Sequence, residues 1–147
     1  EKPCIGIPSI DSIACNALDE DRVIVPIIGA KRQQVYAAIY RRKKESVVRE
    51  SEYFLLPVKQ LMKKIKKEVI FLGDGVSLYK DEILGIKKSA SFLEEEYWYP
   101  SAGNLIRLGF ARAKKAKNTG LDKLEPLYLY PEDCQINKSK VPVTGNR

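Results

Sequence analysis

Two short turns hold the residues of this chain best suited to chemistry. The first, Gly29-Ala30-Lys31-Arg32-Gln33-Gln34, lies between the apolar runs Val23–Ile28 and Val35–Tyr40. A catalytic acid or a phosphate-binding turn could sit there, but the turn contains no carboxylate, so magnesium would find no charged oxygen ligand in it. The second, Gly73-Asp74-Gly75, follows the apolar run Val69–Leu72. Its glycines would let a base or ribose approach the backbone closely, and Asp74 could accept from a ribose hydroxyl. The plainer reading of the same three residues is a turn from strand to helix.

Positive charge is concentrated in Lys31 and Arg32 and in the run Arg41-Arg42-Lys43-Lys44. These lie in turns at opposite ends of one strand. The intervening Val35–Tyr40 spans roughly 20 Å at 3.3 Å per residue, so no single phosphate bridges both groups. They are read either as parts of an extended nucleic-acid-facing surface or as solvated charge. Tyr97-Trp98-Tyr99 is an aromatic cluster that could stack a base, pack against a partner or staple the following helix. Trp98 joins the basic residues as a candidate contact.

The 147 residues carry a net charge of +7 and a pI of about 9.3, which favours an acidic partner, nucleic acid being the usual one. With 44% hydrophobic and 31% charged residues the chain reads as one folded domain. It has no histidine, which excludes Ser-His and Cys-His nucleophiles and histidine-ligated metal from this sequence. Cys4, Cys15 and Cys134 show no CxxC pairing and read as reduced thiols of a cytoplasmic protein. No apolar run reaches the roughly 20 residues of a membrane span, and no targeting segment is visible.

The elements that must position these turns follow from periodicity. Lys2–Ile7 reads as a strand, and a helix capped by Ser9 presents Ile10, Ile13, Ala14, Ala17 and Leu18 on one face. Val23–Ile28 and Val35–Tyr40 form a hairpin covered on both faces, and Val47–Tyr53 an edge strand. A helix from Pro57 to Ile65, the strand Val69–Leu72, an amphipathic segment Val76–Leu84 and a strand at Ser89–Leu93 follow. The longest helix runs from Pro100-Ser101 to about Lys117, with Ala102, Leu105, Ile106, Gly109, Ala113 and Ala116 as its apolar face. Leu124–Pro131 is extended, with Tyr128 and Tyr130 as packing residues. The order predicts an α/β fold: an antiparallel meander, then helix-linked parallel strands, in one mixed sheet. It resembles the ribonuclease-H-like core of the actin-like ATPase superfamily.

Four segments carry a family resemblance: Lys2–Ala14 (KPCIGIPSIDSIA), the turn and strand Gly29–Tyr40, Gly73-Asp74-Gly75, and Glu125–Asn137 (EPLYLYPEDCQIN). In this order the chain resembles the bacterial TsaB (YeaZ) family, accessory proteins of tRNA threonylcarbamoyladenosine synthesis with a glycoprotease-like label. Gly29, Gln34 and Tyr130 stand where that family usually has Asp, Glu and Arg. The resemblance implies that residues 1–137 are the C-terminal lobe of a two-lobed protein whose N-terminal lobe is absent, with a disordered tail over 138–147. It implies a non-catalytic scaffold without cofactor or metal, supporting a TsaD-type transferase. It further implies a TsaE-type ATPase as a partner of the full-length protein, with a homodimer and tRNA as further candidates. It also places Gly73, Asp74 and Gly75 where related kinases and chaperones bind adenosine. The alternatives are a basic tRNA-binding module using Lys31, Arg32 and Arg41–Lys44, and a glycoprotease-like or nucleotide-binding actin-fold enzyme.

Overall fold

The computed structural model describes residues 4–114 together with Leu124, Pro126, Leu127 and Leu129. The expected closing segment Glu125–Asn137, apart from Pro126, Leu127 and Leu129, lies outside the described residues. So do Cys134 and the expected tail 138–147.

The sheet is built around β1 (Val23–Gly29). On one side β1 pairs antiparallel with β2 (Val35–Ala37) and β3 (Tyr40–Lys43); on the other it pairs parallel with β6 (Val69–Leu72). Beyond β6 lies the short parallel strand β7 (Ser91–Phe92). At the opposite edge β3 pairs with β4 (Ser46–Arg49), and β2 with β5 (Phe54–Leu56). An antiparallel meander thus joins helix-linked parallel strands, as the sequence order predicts.

The expected strand Val35–Tyr40 is split, and the reason lies opposite it. Ile27↔Ala37 and Ile24↔Tyr40 belong to one continuous register, which places Pro26 across from Ala38. Proline has no N–H to donate, so the ladder lapses there and resumes at Tyr40. The expected edge strand Val47–Tyr53 is cut short as β4, and β5, which the sequence pattern does not predict, lies beyond it at Phe54–Leu56. Between them the Glu50 amide donates to the Ile39 carbonyl (2.8 Å), and the Ile39 amide donates to Ser51 Oγ (2.9 Å). At the N-terminus Cys4 makes only an isolated bridge, and residues 5–8 form no strand.

Both faces of β1 are covered, as its unbroken apolar run requires. Val23, Val25 and Ile27 point into a core with α2 (Val58–Lys64) and α3 (Gly75–Ile86). Ile24 points into a second core, with Tyr40, Ile70 and Leu72, under α1 (Ser9–Ala14). Helix α1 starts at Ser9 itself with no side-chain cap, because Pro8 holds the N-cap position. The last described helix, α4 (Ala102–Ala113), is capped by Ser101, whose Oγ accepts from the Asn104 amide at 3.2 Å.

Candidate functional site

The parallel register of β1, β6 and β7 brings their C-terminal ends to one end of the sheet. Gly73-Asp74-Gly75 and the Lys31-Arg32 turn meet there. Gly29 does not have the left-handed backbone that its residue type invites; it is a strand residue whose amide points past the end of β6. Asp74 Oδ1 accepts from that amide at 2.9 Å, and the Asp74 carbonyl accepts from Ser77 Oγ at 2.6 Å. Gly73 has φ +101°, and a Cβ added there would overlap the Ile27 carbonyl oxygen. These three residues therefore lock the start of α3 against β1. The structure shows the strand-to-helix turn, with one oxygen of Asp74 already engaged.

A cavity of about 430 Å3 opens beside this turn. Ser77, Lys80, Asp81, Glu94, Glu95 and Trp98 line it, so three carboxylates oppose one ammonium. That balance repels a polyphosphate. The Trp98 indole is half-buried against both cores, and its Nε1 donates to the Leu93 carbonyl at 2.9 Å. It is fixed as a plug rather than free as a stacking platform. Tyr97 and Tyr99 present their carbonyls to Asn16 Nδ2 at 2.8 and 2.9 Å.

The turn at Lys31–Gln34 is exposed and tight. Arg32 (φ 60°) and Gln33 (φ 56°) are both left-handed, as a two-residue hairpin turn of the primed kind requires. Arg41–Lys44 lie at the far end of the sheet, so the structure keeps the two basic groups apart. Arg41 and Lys43 both reach Glu50, at 3.1 and 3.5 Å, and Arg42 reaches Asp21 at 3.6 Å. Partial burial pushes the Glu50 carboxyl up, but Arg41 and Lys43 outweigh this and hold it below its ordinary value.

The sequence pattern did not reveal how α4 is attached. Its polar residues face the body of the protein. Asn104 Nδ2 donates to Asn16 Oδ1 (2.6 Å) and to the Ser12 carbonyl (3.2 Å). Arg112 donates to Asp11 Oδ2 (2.5 Å) and to the Gly6 carbonyl (2.9 Å). Asp11 is buried and also accepts from the hydroxyls of Tyr40 (2.6 Å) and Tyr53 (2.9 Å). Burial first, then the hydrogen bond to Asp11, pushes both phenols above the ordinary tyrosine value, Tyr40 very strongly. Burial also raises the Cys15 thiol, against the opposing pull of Arg107.

The apolar stripe of α4 consequently faces outward. Ile106 is 60% exposed and Phe110 68%, and no residue of the helix is buried. An amphipathic helix turned this way is a surface built for another body. Among the described residues, no three Cys, Asp or Glu side chains lie together as metal ligands, and no helix is long and apolar enough to cross a membrane.

No family model matches the chain. Over 91 residues it is 33% identical to the tRNA threonylcarbamoyladenosine biosynthesis protein TsaB of Bacillus subtilis (strain 168). That match covers 58% of this chain and 40% of the relative. Its fold is shared with YeaZ from Pseudomonas aeruginosa, at TM-score 0.61 and 18% identity over 86% of this chain. The sequence is thus similar to TsaB over part of its length, and the fold is that of YeaZ. A second structure, an uncharacterized protein with similarity to peptidase YEAZ from Pseudomonas aeruginosa, superposes at TM-score 0.68 with 16% identity over 88% of this chain. In both solved structures the superposition covers 60% of the other chain, so these proteins are longer than the part matched here. The sheet thus shares the fold of these two structures, with the antiparallel meander and helix-linked parallel strands expected from the order of its elements.

Proposed function

We propose that this chain is a non-catalytic supporting lobe of the machinery that forms threonylcarbamoyladenosine in tRNA. The observation that carries this reading is the sequence match to TsaB, on a sheet of the same topology as YeaZ. The absence of histidine and the acid-free Gly29–Gln34 turn support an accessory rather than a chemical role. The outward stripe of α4 supports a lobe that works by docking. Its partner would be the part of a TsaB-like protein with no counterpart here, the N-terminal lobe. The assembled protein would in turn support a TsaD-type transferase alongside a TsaE-type ATPase.

The test is complementation. The gene encoding this chain is expressed in a bacterium lacking TsaB, and threonylcarbamoyladenosine is measured in digested tRNA by mass spectrometry. Restored modification is expected. A protein that accumulates yet restores none overturns the reading.

A further inference from the structure

Among the described residues, two stretches of opposite charge lie on different sides of the sheet. Residues 41–68, which run from β3 through β4 and β5 to the end of α2 and the approach to β6, hold ten lysines and arginines against four carboxylates. Residues 74–96, on the β6–β7 side, hold three against six. Topology gathers much of the basic set at one end. The pair Ile24↔Tyr40 brings Arg41 level with Val23, and Val23 pairs with Val69, just after Lys66 and Lys67. A cavity of about 320 Å3 there is lined by Asp21, Arg22, Val23, Arg41, Lys67 and Glu68. Lys44, at φ 58°, turns the β3–β4 hairpin tip that continues the strand from Arg41. Lys44, Lys63, Lys66 and Lys67 are exposed and have no ion pair among the described residues.

We propose that this basic end, formed by Arg22, Arg41–Lys44, Lys63, Lys66 and Lys67, binds the phosphate backbone of folded RNA. The choice of RNA among polyanions rests on the function proposed above; the choice of backbone rests on the surface itself. The aromatic residues of the segment are Tyr53 and Phe54, and each ring is already covered by a cation, Arg49 at 4.0 Å and Lys64 at 5.0 Å. Phe54 is buried and the Tyr53 hydroxyl is held by Asp11. No ring is left to stack an unpaired base, so contact is by charge, insensitive to sequence and strongly dependent on salt.

The experiment titrates the chain with a fluorescent tRNA transcript from 50 to 200 mM salt. The triple variant Lys44→Gln/Lys66→Gln/Lys67→Gln is expected to lose about tenfold or more in affinity at the lowest salt. Its log–log salt slope should fall by about two to three, near one per phosphate contact removed. The matched variant Lys87→Gln/Lys88→Gln, on the acidic side, should bind within about twofold of the parent. Lys66→Arg/Lys67→Arg, which keeps the charge, should bind like the parent and so exclude a folding artefact. Equal losses in both glutamine variants overturn the proposal. So does absence of binding at 50 mM salt, or competition by polyglutamate as effective as by RNA. Complementation reads the modification without requiring this surface, so either conclusion can fail alone.

Discussion

Asp11→Asn should release α4 while leaving the sheet folded. The Asp11 carboxylate does two jobs: it accepts from Tyr40 and Tyr53 within the second core, and it holds Arg112 of α4. Asparagine keeps an oxygen for the tyrosines but turns an NH2 group toward the guanidinium. A hydrogen bond to a charged partner contributes about 1.5–3 kcal/mol. The Arg112 side chain is 39% exposed, so screening reduces this to about 1–2 kcal/mol. No residue of α4 is buried, so apolar packing adds little to its attachment. The loss should therefore appear as local opening, with amide exchange across Leu105–Ala113 faster by about 5–30-fold while β1 and β6 stay protected. Asp11→Ala also strands the buried Tyr40 hydroxyl and should lower global stability by about 3–5 kcal/mol in urea unfolding. If Asp11→Ala unfolds within about 0.5 kcal/mol of the parent, or Asp11→Asn leaves α4 exchange unchanged, the polar attachment of α4 is wrong.

Other outcomes follow from the same geometry. Gly73→Ala should cost about 3 kcal/mol or more in urea unfolding, since it meets both a left-handed backbone and the Ile27 carbonyl, whereas Gly75→Ala should cost less. Gln33→Gly should stabilise the chain by about 0.5–1 kcal/mol in the same assay, by relieving a left-handed glutamine in the hairpin turn. Above about pH 10 the unfolded tyrosines lose protons that folded Tyr40 and Tyr53 retain, so stability is full below that pH and falls as pH rises further. Tyr40→Phe should flatten that alkaline loss in a pH series of melting temperatures. Phe110→Ser should leave the melting temperature of this chain within about 1–2 °C but, under the docking role proposed for α4, weaken its capture by the separately expressed N-terminal lobe of a TsaB-like protein.

Much of the fold was legible in the sequence because its strands are short apolar runs closed by turn residues. The hairpin across Gly29–Gln34, the buried strand Val69–Leu72 and the helix opening at Ser101 stand where periodicity puts them. The split at Ala38-Ile39 was in principle legible from Pro26, but only once the register was known. The orientation of α4 was not: Leu105, Ile106 and Gly109 make the same stripe whether it faces a core or solvent. What fixes the orientation is a buried Asp11 on another helix, 101 residues away from Arg112. Gly29 drew attention as a glycine in a turn and proved to be an ordinary strand residue, whereas the strained positions are Arg32 and Gln33. The basic run Arg41–Lys44 was visible, but its proximity to Arg22 and Lys67 comes from strand pairing alone.

The separation of charge between residues 41–68 and residues 74–96 also gives this part of the sheet an electric dipole. A polyanion approaching from any direction exerts a torque on such an arrangement, turning the β4–β5 edge toward itself before contact. The acidic side around Glu94–Glu96 then matters for encounter although it would touch nothing in the bound state. Neutralising it would slow association and leave dissociation unchanged, so a residue on the far face would set how often collisions succeed.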